Sequence, residues 1–290
     1  MVLHDLKGRK LMALLAKKPK KIDKRLKLMM FGPPGVGKTT AAIQFPKPYI
    51  LDTERGAEND QYVDAINKSD GAILSTTSFD TIVDQVRALA SEPHEFRTLV
   101  IDPITVIYDD LVAYWEKRVG TDFGRGYSAA KKQWKRLTAL ISTLDMNVVM
   151  TSHAKNLYAE GTAMKIIGMT YDGPKGADYY MDLVLEAIKD GDDRSCRIAK
   201  SRIASLPEGE VIPFGYDEIA ERYGRDTLER DATVIEFASV ETVRAVREHL
   251  AQRMDGEELE GKWLRAAGVA DLADMTSEQM EGCAQWLKAQ

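Results

Sequence analysis

The stretch GPPGVGKT, residues 32–39, limits what this chain can fold into more than any other feature. It fits the pattern G-x-x-x-x-G-K-[ST] and sits between an apolar run, LKLMMFG (26–32), and a helical pattern starting near Lys38. Its glycines let the backbone curl so that consecutive N–H groups point at phosphate, and the helix N-terminus behind them adds positive dipole. The strand-loop-helix setting makes Gly32, Pro33, Pro34, Gly35, Val36, Gly37, Lys38, Thr39 and Thr40 the expected nucleotide-binding set. Lys38 is placed to reach the β- and γ-phosphates and the Thr39 hydroxyl to hold Mg²⁺, whereas Thr40 also reads as a helix-surface or packing residue.

Further apolar runs occur at PYILDT (48–53), GAILST (71–76), TLVIDPI (98–104) and NVVMTSH (147–153), with amphipathic stretches between them. Short buried strands alternating with helices predict an α/β fold with a mostly parallel sheet flanked by helices. DLVLEAI (182–188) and RSCRIAK (194–200), joined by the turn sequence KDGDD, predict an antiparallel hairpin closing one edge. The expected organisation is a basic arm over 1–25, a core over 26–204, a Pro- and Gly-punctuated linker over 205–232 and an acidic helical module over 233–290. In that module Val243, Val246 and Leu250 form one apolar stripe; Met280, Cys283, Ala284 and Leu287 form another behind a capping box from Thr276 to Gln279, which makes Cys283 a core residue.

The net charge of −5 conceals an asymmetry. Residues 1–28 hold ten Lys/Arg against Asp5 and Asp23, or +8, which leaves −13 for the rest. Such an arm attracts polyphosphate or nucleic acid, or serves as a solubilising tail. No apolar stretch reaches the roughly 18 residues of a membrane span, and the N-terminus has no secretory h-region, so a cytoplasmic protein is expected.

The second element that nucleotide chemistry needs is an apolar strand ending in an acid that orients magnesium. Leu99-Val100-Ile101-Asp102 supplies it, with Asp102 as the Walker B candidate. In AAA+ ATPases, which the loop itself resembles, this Asp is followed directly by the Glu that activates water; here position 103 is Pro. A carboxylate that polarises water contributes roughly 10²- to 10⁴-fold. Glu54, closing YILDTERG (49–56), is the alternative source.

That placement resembles the RecA/RadA recombinases and DnaB-type helicases, where an acid at the tip of this neighbouring strand activates water. LVIDPIT (99–105) resembles their Walker B strand and VVMTSHAK (148–155) the next one, so the resemblance makes His153 a candidate γ-phosphate sensor; a simple loop residue is the other reading. AKSR (199–202) resembles the Lys-x-Arg of RecA-like ring ATPases, which implies that Lys200 and Arg202 reach the γ-phosphate of a neighbouring subunit. The order and spacing of these motifs with GADYYMDLVLEA over residues 26–204 resemble the phage-encoded RecA-like P-loop ATPases of the Sak type, single-strand annealing recombinases.

The resemblance implies two DNA-binding loops. VGTDFGRGYSAAKKQWKR (119–136) offers Phe123, Arg125, Tyr127 and Lys131, with Trp134 read as core and Lys132, Lys135 and Arg136 as a solvated helix face. The segment 154–177 offers Lys155, Tyr158, Lys165 and Lys175, as a binding loop or a β-hairpin excursion. The expected protein is therefore a DNA-stimulated ATPase using ATP and Mg²⁺. It would be a homo-oligomer, ring or filament, that binds single-stranded DNA in a host cytoplasm, and a single-strand binding protein or a helicase is a possible partner. A helicase-related ATPase or helicase loader is the alternative; a small-molecule kinase would need an acceptor motif, and none is found.

Overall fold

A computed structural model describes residues 24–56, 60–159 and 165–288. Nearly all of the basic arm therefore lies outside the described residues, as do residues 160–164 of the second candidate DNA segment. Among the described residues, nine strands form one sheet. The parallel part runs β3 (Ala72–Ser75), β2 (Pro48–Asp52), β4 (Thr98–Asp102), β5 (Asn147–Tyr158), β1 (Lys27–Phe31) and β7 (Leu183–Asp190). Antiparallel β8 (Asp193–Ser201) and β9 (Val211–Pro213) extend it beyond β7, and β6 (Ile166–Asp172) pairs with the outer half of β5.

The central strands read as unbroken apolar runs because both faces are covered. Met29, Leu51, Leu99, Ile101, Val148 and Met150 face a cluster closed by α3 (Phe79–Ser91), α4 (Ile104–Val119) and α5 (Arg125–Thr143). Leu28, Met30, Ile50, Val100, Val149 and Leu185 face the other side, closed by α1 (Lys38–Ile43), α2 (Asp60–Lys68) and α6 (Tyr216–Tyr223). Trp134 is buried in the first cluster, as its spacing on α5 predicts. Cys196 belongs to the second, and burial pushes its thiol up to about 12.

Two expectations about the chain's organisation need correction. The hairpin β7–β8 does not end the sheet, because β9 pairs with β8 through Ser195, Cys196 and Arg197. Residues 205–232 are not a free linker: Leu206, Ile212, Tyr216, Ile219, Ala220 and Leu228 are buried in the second cluster. Arg25, counted with the basic arm, is only 4% exposed and fastens this segment. Its guanidinium donates to the carbonyls of Thr227, Leu228, Arg230 and Asp231 and pairs with Asp145. These carbonyls end α7 (Arg225–Glu229), where a cation also complements the helix dipole.

The C-terminal helices α8 (Val240–Ala251), α9 (Gly256–Ala267) and α10 (Ser277–Lys288) share their own small core, which includes Cys283. The capping box is formed: Thr276 N–H donates to Gln279 Oε1 and Gln279 N–H to Thr276 Oγ1. The module is held to the sheet-and-helix core by Asp274, 3% exposed, which pairs with Arg87 of α3 at 2.7 Å and Arg136 of α5 at 3.1 Å. Arg136 is thus engaged by the module and is not simply part of a solvated face. Removing one member of a charged cluster strands the others, so Asp274→Ala is expected to cost about 2 kcal/mol in a denaturant titration. No helix among the described residues is long and apolar enough to cross a membrane.

Candidate nucleotide site

The phosphate loop leaves the C-terminal end of β1 and feeds α1, which begins at Lys38. Gly32 lies so close to β7 that a Cβ there would stand 2.9 Å from the Ala187 carbonyl oxygen, and Gly37 has φ of 100°, in the region glycine favours. Val36 is buried and pins the loop, while Pro33, Pro34 and Gly35 are exposed. Lys38 Nζ folds over the loop to the carbonyls of Gly32 and Pro33, at 2.8 and 3.0 Å. Burial holds its pKa below the usual lysine value, and the charges of Asp102 and Glu54 act in the opposite direction. Thr40 is exposed and opens on a cleft of about 550 Å³ shared with Gln44, Lys68 and Tyr216.

Thr39 and Asp102 meet. The Thr39 hydroxyl donates to Asp102 Oδ2 at 2.6 Å, and the Thr151 hydroxyl donates to Oδ1 of the same carboxylate. Asp102 is 8% exposed; burial raises its pKa, and the hydrogen bonds from Thr151 and Thr39 counter that shift. A hydroxyl and a carboxylate oxygen side by side below a phosphate loop are hard donors of the kind Mg²⁺ takes, with its other positions left to water and phosphate.

Glu54 and His153 also meet. β2 and β4 run in register, Asp52 beside Asp102, so their tips share one edge of the sheet. Past Asp52 the chain turns, and the Asp52 carboxylate accepts from the N–H groups of Glu54 and Gly56 at 3.1 and 3.3 Å. Thr53 anchors the same turn, its hydroxyl donating to the carbonyls of Asp102 and Pro103. Glu54 is thereby aimed across β4 at the middle of β5, where its Oε1 lies 2.9 Å from His153 Nε2. Both side chains are 45% exposed, and a pair that open contributes at most about 1 kcal/mol, weak enough to separate when a phosphate competes for either partner.

The sequence reading gave Asp52 no role, yet it is the group that orients Glu54. The matched strand ends LD (51–52) and ID (101–102) were the signal available. Arg194, at the start of β8, was also missed: its Nε lies 3.9 Å from where a Cβ of Gly37 would stand, a cation beside the phosphate loop supplied by the turn of the hairpin.

Lys200 and Arg202 are not part of this cluster. The phosphate loop follows Phe31, which pairs with Glu186, whereas Ser201 pairs with Leu183 and through it with Leu28. The two cations therefore lie toward the opposite end of the strands from the phosphate loop. Lys200 Nζ donates to the carbonyls of Asp178 and Met181, and Arg202 donates to that of Tyr179 at 2.7 Å.

A family model described as an AAA domain matches residues 24–207, about two thirds of the chain. The chain belongs to the AAA domain family. The loop, the order of the parallel strands and Asp102 at the tip of β4 make this AAA domain a nucleotide-binding P-loop NTPase of RecA-like fold. Among curated proteins none matches. A solved DnaB-like replicative helicase, described with its interactions with primase, is similar at 12% identity and a TM-score of 0.40. The similarity covers 65% of this chain and 54% of that one, so the AAA-domain chain spans about half the length of that helicase.

The two candidate nucleic-acid segments differ from loops. In the first, Gly120–Gly124 is a short connection carrying Phe123, fully exposed at φ of 53°. Arg125, Tyr127 and Lys131 are exposed on the first turns of α5. In the second, β5 runs on past the sheet to Tyr158 and pairs with β6, so the excursion is a β-hairpin. It exposes Tyr158, Lys165, Ile166 and Ile167, while Lys155 pairs with Asp172 at 3.1 Å and Lys175 is exposed beyond β6.

Proposed function

We propose that this AAA-domain protein is an oligomeric ATPase that binds single-stranded DNA and promotes annealing or recombination, as the Sak-type phage proteins it resembles do. One observation carries the reading. His153, which touches Glu54, is the residue at which β5 leaves the sheet and becomes the exposed hairpin, so the water-activating candidate and the DNA-binding candidate share a strand. A ligand on the hairpin and a ligand on the phosphate loop then bias one arrangement, and their affinities rise together by linkage.

In this reading Lys38 and the loop N–H groups hold the phosphates, and Thr39 and Asp102 would hold Mg²⁺, which when bound neutralises phosphate charge. Glu54, released from His153, orients water and accepts its proton, and His153 Nε2 becomes free to donate to phosphate. Arg202 of a neighbouring copy completes the site. Exposed rings and cations at Phe123, Arg125, Tyr158 and Lys165 suit single strands, since any base stacks on a ring and any phosphate pairs with a cation.

The test is ATP hydrolysis with and without an unstructured oligonucleotide, alongside annealing of complementary labelled strands. Hydrolysis is expected to rise with DNA, and ATP affinity to rise at least about fivefold, within the usual range of coupling between binding sites. Unchanged hydrolysis and unchanged nucleotide affinity sink the reading, and activity that appears only with an added helicase supports a loader instead.

A further inference from the structure

Between the hairpin and the finger cations lies a short segment, residues 173–182, that the reading above does not use. It follows the end of β6 at Asp172 and contains one 3-10 turn, Ala177–Tyr180. Three carbonyls of this turn and its exit, those of Asp178, Tyr179 and Met181, are the acceptors on which Lys200 and Arg202 rest. The turn is therefore the seat of the fingers, and where it stands decides where they point.

The turn is tied to the hairpin by one side chain. Tyr171, in β6 opposite Ala154, donates its hydroxyl to Asp178 Oδ1 at 2.8 Å and accepts from the Gly176 N–H at 3.1 Å. Burial and the Asp178 carboxylate push this phenol up to about 12, so it remains a donor near neutral pH. The next residue, Asp172, is fixed in the other direction: its carbonyl accepts from Thr105 and Ser152, and its N–H donates to Ser152 Oγ. Ser152 stands between Thr151, which holds Asp102, and His153, which holds Glu54. The base of the hairpin thus touches the chain's own nucleotide site on one side and the seat of its outward fingers on the other.

We infer that Tyr171 is a positioning residue that couples the β5–β6 hairpin to Lys200 and Arg202, so that a strand bound to the hairpin sets the fingers offered to the neighbouring copy. The inference rests on the proposed DNA-dependent ATPase. A shift of β6 carries Tyr171 with it, and its hydroxyl draws Gly176 and Asp178 along. The backbone from 176 to 181 then moves as a unit, and its carbonyls reposition both cations. The path to the fingers runs through Gly176 and Asp178, whereas the contacts of the neighbouring Asp172 with Ser152 lead back to the chain's own site.

Tyr171→Phe removes the hydroxyl and keeps the ring, and Asp178→Ala removes the acceptor without altering the hairpin. Each is measured as full-length protein for kcat without DNA, kcat with oligo-dT and KM for ATP. Both variants are expected to keep basal kcat and KM within about twofold while stimulation by DNA falls by about fivefold or more. Asp178→Asn, which keeps a carbonyl acceptor, is expected to retain stimulation. If Tyr171→Phe does not fold, the Asp178 pair carries the same test. Stimulation that survives in both disrupting variants overturns the inference and leaves the functional reading standing. Equal losses of basal and stimulated rates, or loss in Asp178→Asn as well, reduce Tyr171 to a structural role and overturn it too. An unaltered protein that DNA does not stimulate overturns both.

Discussion

Arg202→Ala is expected to lower ATP turnover by about a thousandfold, the lower end of what a finger cation supplies in phosphoryl transfer, while ATP affinity stays within about threefold. The expectation follows from position: Arg202 is exposed, its guanidinium donates to the Tyr179 carbonyl, and it is set toward the far end of the strands from the phosphate loop. A residue so placed is not part of its own chain's binding pocket, so its loss appears in kcat. Mixing gives a sharper result. Lys38→Ala copies lack a working site but offer a finger, and Arg202→Ala copies lack the finger but keep a site. Each preparation alone is expected to be inactive and the mixture to recover a measurable fraction of activity. A mixture no better than its parts shows that Arg202 does not act between copies.

Glu54→Gln is expected to slow hydrolysis by roughly a hundredfold or more, with ATP binding retained, because the amide keeps the side chain's size and loses its basicity. A second effect distinguishes this from general damage. Glu54 is one of two charges that oppose the burial penalty on Lys38, so neutralising it is expected to make Lys38 easier to deprotonate. The variant's ATP affinity should therefore weaken at a lower pH than that of the unaltered protein as pH is raised. Measuring the ATP dissociation constant between pH 7 and pH 10 checks this, and coincident profiles would argue against electrostatic contact between the two residues.

The parts of this fold that were legible in the sequence are those where one local rule decides. Parallel strands covered on both faces are apolar through their middles, as Leu28–Phe31 of β1, Ile50–Leu51 of β2, Leu99–Ile101 of β4 and Val148–Met150 of β5 are. The phosphate loop needs glycine at fixed places, and the α10 capping box needs Thr276 and Gln279 three residues apart. What stayed hidden depends on distant partners. β9 has three residues and exists because β8 offers an unpaired edge, so its Pro213 and neighbouring glycines read as linker. Arg25 looked like one more cation in a basic run, and only the carbonyls about 200 residues away make it a structural bolt. The hairpin β5–β6 was only one of two readings of its segment, beside a binding loop, because β5 changes character half-way, from buried residues through Ser152 to largely exposed ones from His153 onward. Asp52 was overshadowed by Glu54, although the shorter acid holds the longer one in place.

The separation of the phosphate loop and the finger pair to opposite ends of the strands has an arithmetic consequence. If each complete centre takes one face from each of two copies, an isolated chain has none, an open row of n copies has n − 1, and a closed ring has n. Activity per milligram should then climb with protein concentration at saturating ATP and level off only when the assembly is long or closed. A ring that loses one finger to mutation loses one centre, whereas an open row can place that copy at the terminus whose fingers face solvent and lose nothing. Titrating Arg202→Ala chains into unaltered ones therefore reports geometry as well as chemistry: the curvature of the activity plot counts ends.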